Sequence, residues 1–194
     1  MSNTYETREQ WLQAAAEKMR PWMAEKDLKI EVKILFSAGW PKYGAPKSIG
    51  QCWSPTASDG QTAHIFICPT LGDDPVQVLH ILLHEMIHAS VGCECGHKGP
   101  FSRAAKAMGL QGKPTATYAE PGTPLHGQLE VLAEELGPYP HVILRKPTKK
   151  RPAGGGWVKL ESVNDPEYIL RISPVAAESG MPVDPWGDEM VLSG

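Results

Sequence analysis

The feature that most constrains this chain is a pair of histidines and a glutamate set inside an apolar run. Residues 81–92 read ILLHEMIHASVG. The apolar residues continue on a helical period, and Gly92 stops them. His84 and His88 are four apart, so they lie on one helix face. Burying two imidazoles and a carboxylate in such a run costs free energy unless they are paired or bound to a metal. Glu85 sits about 100° around the helix from His84. That places it beside an ion held by the two histidines, where it can hold a water bound to that ion and take its proton. Zinc suits this chemistry. It accepts nitrogen ligands, has no redox activity, and makes its water more acidic when one coordination position stays open.

A catalytic zinc needs a third protein ligand. The loop 92–100, GCECGHKGP, offers Cys93, Glu94, Cys95 and His97. Gly96 and Gly99 frame His97 and allow a tight return, which favours His97. The spacing is not that of metzincins, whose third histidine would fall at position 94, occupied here by Glu94. Two thiolates joined to two histidines would instead make a closed structural site. The bland reading of the motif, surface histidines in a chance pattern, fits poorly with its apolar context. His80, one turn earlier, reads as a polar helix residue or a contact behind the ligands. His64, His126 and His141 lack ligand spacing and read as structural or exposed.

The elements around the motif can be sketched from pattern and punctuation. Residues 4–23 carry Trp11, Leu12, Ala15, Met19, Trp22 and Met23 at helical spacing, with Pro21 expected to break or kink the last turn. Residues 29–36, KIEVKILF, alternate as a half-buried strand does. Segments 49–53 and 63–68 read as two more strands joined by the hairpin-like loop 54–60, SPTASDG. Three strands in succession suggest an antiparallel meander. Asp73 or Asp74 can cap the motif helix, with Pro75 in its first turn. Pro100 opens a further helix to about Met108, closed by Gly109. Thr123 and Pro124 start another that runs to about Leu136. The fold class expected is α+β: helices packed on a small, mostly antiparallel sheet, with a small β-rich C-terminal appendage.

Composition bounds the rest. The chain has 194 residues, 41% hydrophobic and 21% charged, enough to bury a real core. Its net charge of −3 argues against a wholesale nucleic-acid coat. The N-terminal residues show no signal-peptide pattern, and no apolar stretch is long enough to span a bilayer. A cytoplasmic protein with no membrane association is expected, in the host cytoplasm for a viral chain. Its four cysteines, Cys52, Cys68, Cys93 and Cys95, then read as thiols.

The stretch 84–117, HEMIHASVGCECGHKGPFSRAAKAMGLQGKPTAT, resembles the core of the SprT-like zinc metallopeptidases, which include the spartan proteases. The GHKGPF and GKPTAT segments are most similar to small bacteriophage members. The resemblance implies one zinc ion held by His84, His88 and His97, with Glu85 as general base. It also implies a zincin-like core in which an extended substrate lies along a sheet edge above the metal. An exposed edge offers backbone donors and acceptors whatever the substrate's side chains. Tyr118, just after GKPTAT, is the candidate oxyanion stabiliser.

From Gly137 the composition changes. Prolines and the run 154–156, GGG, punctuate the chain, which gives a domain over 1–140, a linker over 141–156 and a tail over 157–194. Relatives in the resembled family often carry a zinc ribbon with four cysteines there; this tail has none. Ser162, Asp165, Asp184 and Gly187 lie near where cysteines would be expected, so the tail reads as a ribbon-like hairpin without metal. Apolar packing by Trp157, Tyr168 and Trp186 is expected to hold it. The linker carries Arg145, Lys146, Lys149, Lys150 and Arg151, candidate phosphate contacts for DNA or simply a solvated basic run. The activity expected is zinc-dependent hydrolysis of peptide bonds in a protein or peptide substrate, with DNA-associated proteins as a candidate class. The alternative is a non-proteolytic module in which zinc is structural and the chain binds nucleic acid or protein.

Overall fold

The computed structural model describes residues 5–40, 48–72, 74–141, 143–145 and 156–193. The chain divides into two compact units, Met1–Lys146 and Pro147–Gly194. Both mix helix and strand, so the α+β class holds.

The first helix of the larger unit, α1 (Arg8–Ala24), is capped by Thr7, whose side chain accepts from the Gln10 amide while Gln10 reaches back to the cap. Pro21 lies inside this helix and does not end it. The turn beyond it stays anchored because Met19 and Met23 are buried on the core face. Trp11 donates from its indole to the Gly137 carbonyl at 3.1 Å, tying α1 to the end of a later helix. Arg8, which sequence pattern did not single out, is buried and donates to the carbonyls of Pro140 and Pro69.

Three strands follow: β1 (Ile34–Ala38), β2 (Gly50–Trp53) and β3 (Ala63–Ile67). Their order is β1-β3-β2. The β2–β3 pair is the expected antiparallel hairpin, but β1 runs parallel to β3. The expected meander is therefore corrected to a mixed sheet. Alternation sets which face of a strand is buried, not which strand is its neighbour. Here the strand with the most strictly alternating burial, β3, takes the centre, and β2 is left at an edge. Residues 29–33 lie outside the first strand, which begins later than its alternation suggests.

The motif helix is α2 (Pro75–Val91). Asp74 caps it by accepting from the Gln77 amide, and Gly92, at φ 91°, closes it. It packs against β2, β3 and α1. It also meets α3 (Gly99–Ala107) and α4 (Pro124–Leu136). Between those two helices lies a short hairpin, β4 (Gln111–Lys113) and β5 (Ala116–Tyr118), absent from the sequence-based expectation. Among the described residues, no helix is long and apolar enough to cross a membrane.

The smaller unit contains β6 (Val158–Glu161), β7 (Ile169–Ile172), the short helix α5 (Pro174–Glu178) and β8 (Val191–Leu192), with β6 central. Packing by Trp157 and Trp186 is not what holds it: they are 71% and 59% exposed, and Tyr168 meets Trp186 only edge-on. The buried residues are Leu160, Met190, Ser162 and Asp184. Ser162 Oγ donates to Asp184 Oδ2 at 2.5 Å and accepts from the amides of Asn164 and Asp165. Asp184 Oδ1 accepts from the amides of Trp186 and Asp188. Each turn wraps around one side-chain oxygen, and the two turns are joined by the Ser162–Asp184 bond and by Asn164 Nδ2, which donates to Asp184 Oδ2 at 3.0 Å and to Asp188 Oδ2 at 2.8 Å.

Candidate metal centre

Three imidazoles from two elements converge. His84 and His88 project from one face of α2. Beyond Gly92 a single tight turn at Cys93–Cys95 leads to Gly96, whose φ of 54° with ψ of −133° is open mainly to glycine. That turn brings His97 back to the helix face. His97 Nε2 lies 3.1 Å from His84 Nε2 and 3.2 Å from His88 Nε2. These three residues can hold a metal ion, and they are the only such group among the described residues. The Glu94 carboxylate folds back over Gly92, where any Cβ would run into it.

The donor set fits a cation. One proton on His97 Nε2 can satisfy only one of its two facing nitrogens, whereas a cation satisfies all three lone pairs. Imidazole nitrogens bound tetrahedrally at about 2.0–2.1 Å stand roughly 3.3 Å apart, near the observed spacings. Burial, above all, holds the imidazoles neutral: His84 is pushed down to about 3 and His88 to about 4, each lowered further by neighbouring histidines, and His97 is also lowered by burial. Neutral nitrogen is the form that binds metal.

Two residues that sequence reasoning missed complete the trio. Thr117 Oγ1 lies 2.7 Å from His84 Nδ1. With Nε2 facing the trio, Nδ1 carries the hydrogen and donates, which fixes both tautomer and ring angle. Phe101, fully buried on α3, stacks on His88 at 4.2 Å between centroids and touches the rings of His84 and His97. Its signal was the i, i+4 spacing from His97. The signal for Thr117 was weaker, a threonine in a hairpin not recognised as one. His88 Nδ1 is buried with no hydrogen-bond partner among the described residues.

Glu85 is 6% exposed and sits one residue around the helix from His84. Burial raises its carboxyl to about 8, aided by the Cys93 sulfur, while the Cys52 backbone amide opposes the rise. It lines a cleft of about 170 Å³ with Ser48, Gly50, Ile81, His84 and Thr117. Gly50 is what admits it: a Cβ there would come 2.8 Å from Ile81 and closer still to Glu85. The cleft lies under the edge of β2. The Cys68 amide bonds to the Ile49 carbonyl, so Gln51 and Trp53 also turn their backbone groups toward β3. By alternation, those of Gly50 and Cys52 point away from the sheet, where the Gly50 carbonyl accepts from Ser48 Oγ at 2.6 Å and the Cys52 amide meets the Glu85 carboxyl.

The remaining candidates stand elsewhere. The Tyr118 ring lies over Gly112, its hydroxyl bonds to Glu120, and it is not among the cleft's lining residues. His126 pairs with Glu130 one turn along α4, His64 stacks beside Phe66 on the sheet, and His141 is exposed. Burial lowers His80, which is not one of the three converging imidazoles. Of the basic run, Arg145 is exposed, and Lys146, Lys149, Lys150 and Arg151 lie outside the described residues.

No family model, curated protein or solved structure matches the chain.

Proposed function

We propose that the chain is a zinc-dependent metallopeptidase of SprT-like type, with a zincin-like core and His84, His88 and His97 as zinc ligands. The observation that carries the reading is the convergence of three neutral imidazoles beside a buried glutamate, beneath the edge strand β2. A zinc ion at the trio supplies a Lewis acid for a water and a scissile carbonyl. Glu85 takes the proton of the attacking water and returns it to the leaving amine. Its raised pKa suits a base that must also give the proton back. The outward Gly50 amide and Cys52 carbonyl pair with an extended peptide, which orients it without regard to most of its side chains. Thr117 holds the angle of His84, and Phe101 keeps water from the far side of the rings.

Glu85→Gln is the decisive variant. It is expected to bind zinc at the wild-type stoichiometry and to cleave no protein substrate. Undiminished proteolysis in that variant sinks the assignment. The closed-site alternative needs a fourth protein ligand; among the described residues neither Cys93 nor Cys95 belongs to the ligand group. Proteins bound to DNA are the substrate class suggested by the basic run 145–151. DNA-stimulated self-cleavage, present in the wild type and lost in Glu85→Gln, tests that extension.

A further inference from the structure

Two of the four thiols face each other next to this site, and the metal chemistry uses neither. Cys52 Sγ, on edge strand β2, lies 3.2 Å from Cys93 Sγ, in the turn that closes α2. The residues are 41 apart in sequence. Both side chains are half-buried and so reachable by a small reagent. The other thiols are engaged elsewhere: Cys68 is buried against Thr70 Oγ1 at 3.1 Å, and Cys95 faces the Gly96 carbonyl at 3.4 Å. Cys93 and Cys95 flank a single residue of one tight turn, a poor geometry for joining to each other.

We propose that Cys52 and Cys93 are a disulfide-forming pair, closed by a small-molecule disulfide such as glutathione disulfide, and that the bond fastens β2 to the end of the metal helix. One protein thiolate attacks a sulfur of the oxidant, forming a mixed disulfide and releasing one glutathione thiolate. The second protein thiolate attacks the protein sulfur of that mixed disulfide and releases the other glutathione. Two protein thiols become one disulfide, and one glutathione disulfide becomes two glutathiones. The sulfurs need to close by only about 1 Å to reach bonding distance. The consequence is local. Cys52 belongs to β2, an edge strand of its sheet, and its hairpin partner β3 holds it from one side only. A covalent tie from its inner face to the α2 terminus restrains the edge from the other.

The test uses the full zinc-loaded chain treated with glutathione disulfide. Remaining thiols are alkylated and peptides mapped by mass spectrometry, and amide exchange is followed in residues 50–53. Expected are a linked Cys52–Cys93 peptide, alkylated Cys68 and Cys95, slower exchange in 50–53, and full reversal by dithiothreitol. Cys52→Ser is expected to trap Cys93 as a glutathione adduct and to show no slowing. Zinc content is expected to be unchanged in Cys93→Ser. The proposal is overturned by alkylation of both Cys52 and Cys93 after oxidation, by a Cys93–Cys95 link, or by zinc loss in Cys93→Ser, which would mark Cys93 as a ligand. A formed disulfide with unchanged exchange overturns the fastening of the strand.

Discussion

Gly50 and Glu85 meet across the strand–helix interface so closely that a Cβ on Gly50 would lie 2.6 Å from Glu85 Oε1. Glycine here serves space, not backbone freedom, since its φ is not in the left-handed region. Gly50→Ala must therefore push the carboxylate aside or lift β2 from α2. The three histidines are untouched by either movement. Zinc content is expected to match wild type while peptide cleavage falls roughly 10–100-fold, the scale of a misplaced reacting group. Wild-type turnover in Gly50→Ala would show that Glu85 does not need this position.

The Thr117 hydroxyl acts on the histidine trio, not on Glu85. Removing it in Thr117→Val leaves the shape of the side chain and deletes the acceptor of His84 Nδ1. Zinc affinity is expected to drop by about 10–100-fold, as for other hydrogen bonds behind a ligand, and Thr117→Ser is expected to retain most of it. Competition with a chromogenic chelator measures both. Equal affinities for the valine and wild-type proteins would remove Thr117 from the site.

The histidine trio was legible because its spacing is local: two histidines one turn apart, then a third in a glycine-framed loop a few residues on. Helix ends were legible for the same reason, since Asp74, Gly92 and Thr123 act on their immediate neighbours. What depended on distant contact was not. Nothing in 29–36 says that β1 will lie parallel to β3, because either neighbour buries Ile34 and Phe36 equally well. Thr117 reaches His84 across 33 positions, and Ser162 reaches Asp184 across 22. The hairpin β4–β5 was missed because Lys113 and its neighbours are exposed and carry no apolar alternation. The tail tryptophans misled for a related reason: a large apolar side chain need not be inside.

Acid and base act on the metal-free protein in opposite directions. His84 and His88, ordinarily near 6.5, are held neutral down to about 3 and about 4. Below 6.5 the unfolded chain binds these protons first, so stability falls as pH drops through that window. Glu85, ordinarily near 4.5, stays protonated in the folded state up to about 8. Above 6.5 it alone among these groups differs between the states, and stability falls as pH rises toward 8. Denaturation of chelated protein is thus expected to show maximum stability near pH 6.5. In Glu85→Gln the decline above that pH should disappear while the acid limb remains. A chelated variant that still weakens between pH 6.5 and 8 would place the titrating group elsewhere.

The smaller unit is expected to fail by a route of its own. Ser162 is buried, and its hydroxyl serves three partners at once, the Asp184 carboxylate and the amides of Asn164 and Asp165. Ser162→Ala leaves those amides without their acceptor, a loss of about 1–3 kcal/mol confined to residues 156–193. The hydrogen bond from Ser162 is also the largest influence holding Asp184 down to about 2, with those from Asn164 and the Asp188 and Trp186 amides adding to it. A carboxyl depressed from 3.8 contributes stability above that value and loses it as pH falls toward 2. In Ser162→Ala the acid transition of the tail should therefore move up toward the ordinary carboxylate range. Tryptophan fluorescence from Trp157 and Trp186 follows it, with Trp11, Trp22, Trp40 and Trp53 replaced by phenylalanine to silence the larger unit. An acid midpoint identical in both proteins would mean that the Ser162–Asp184 bond does not hold the two turns together.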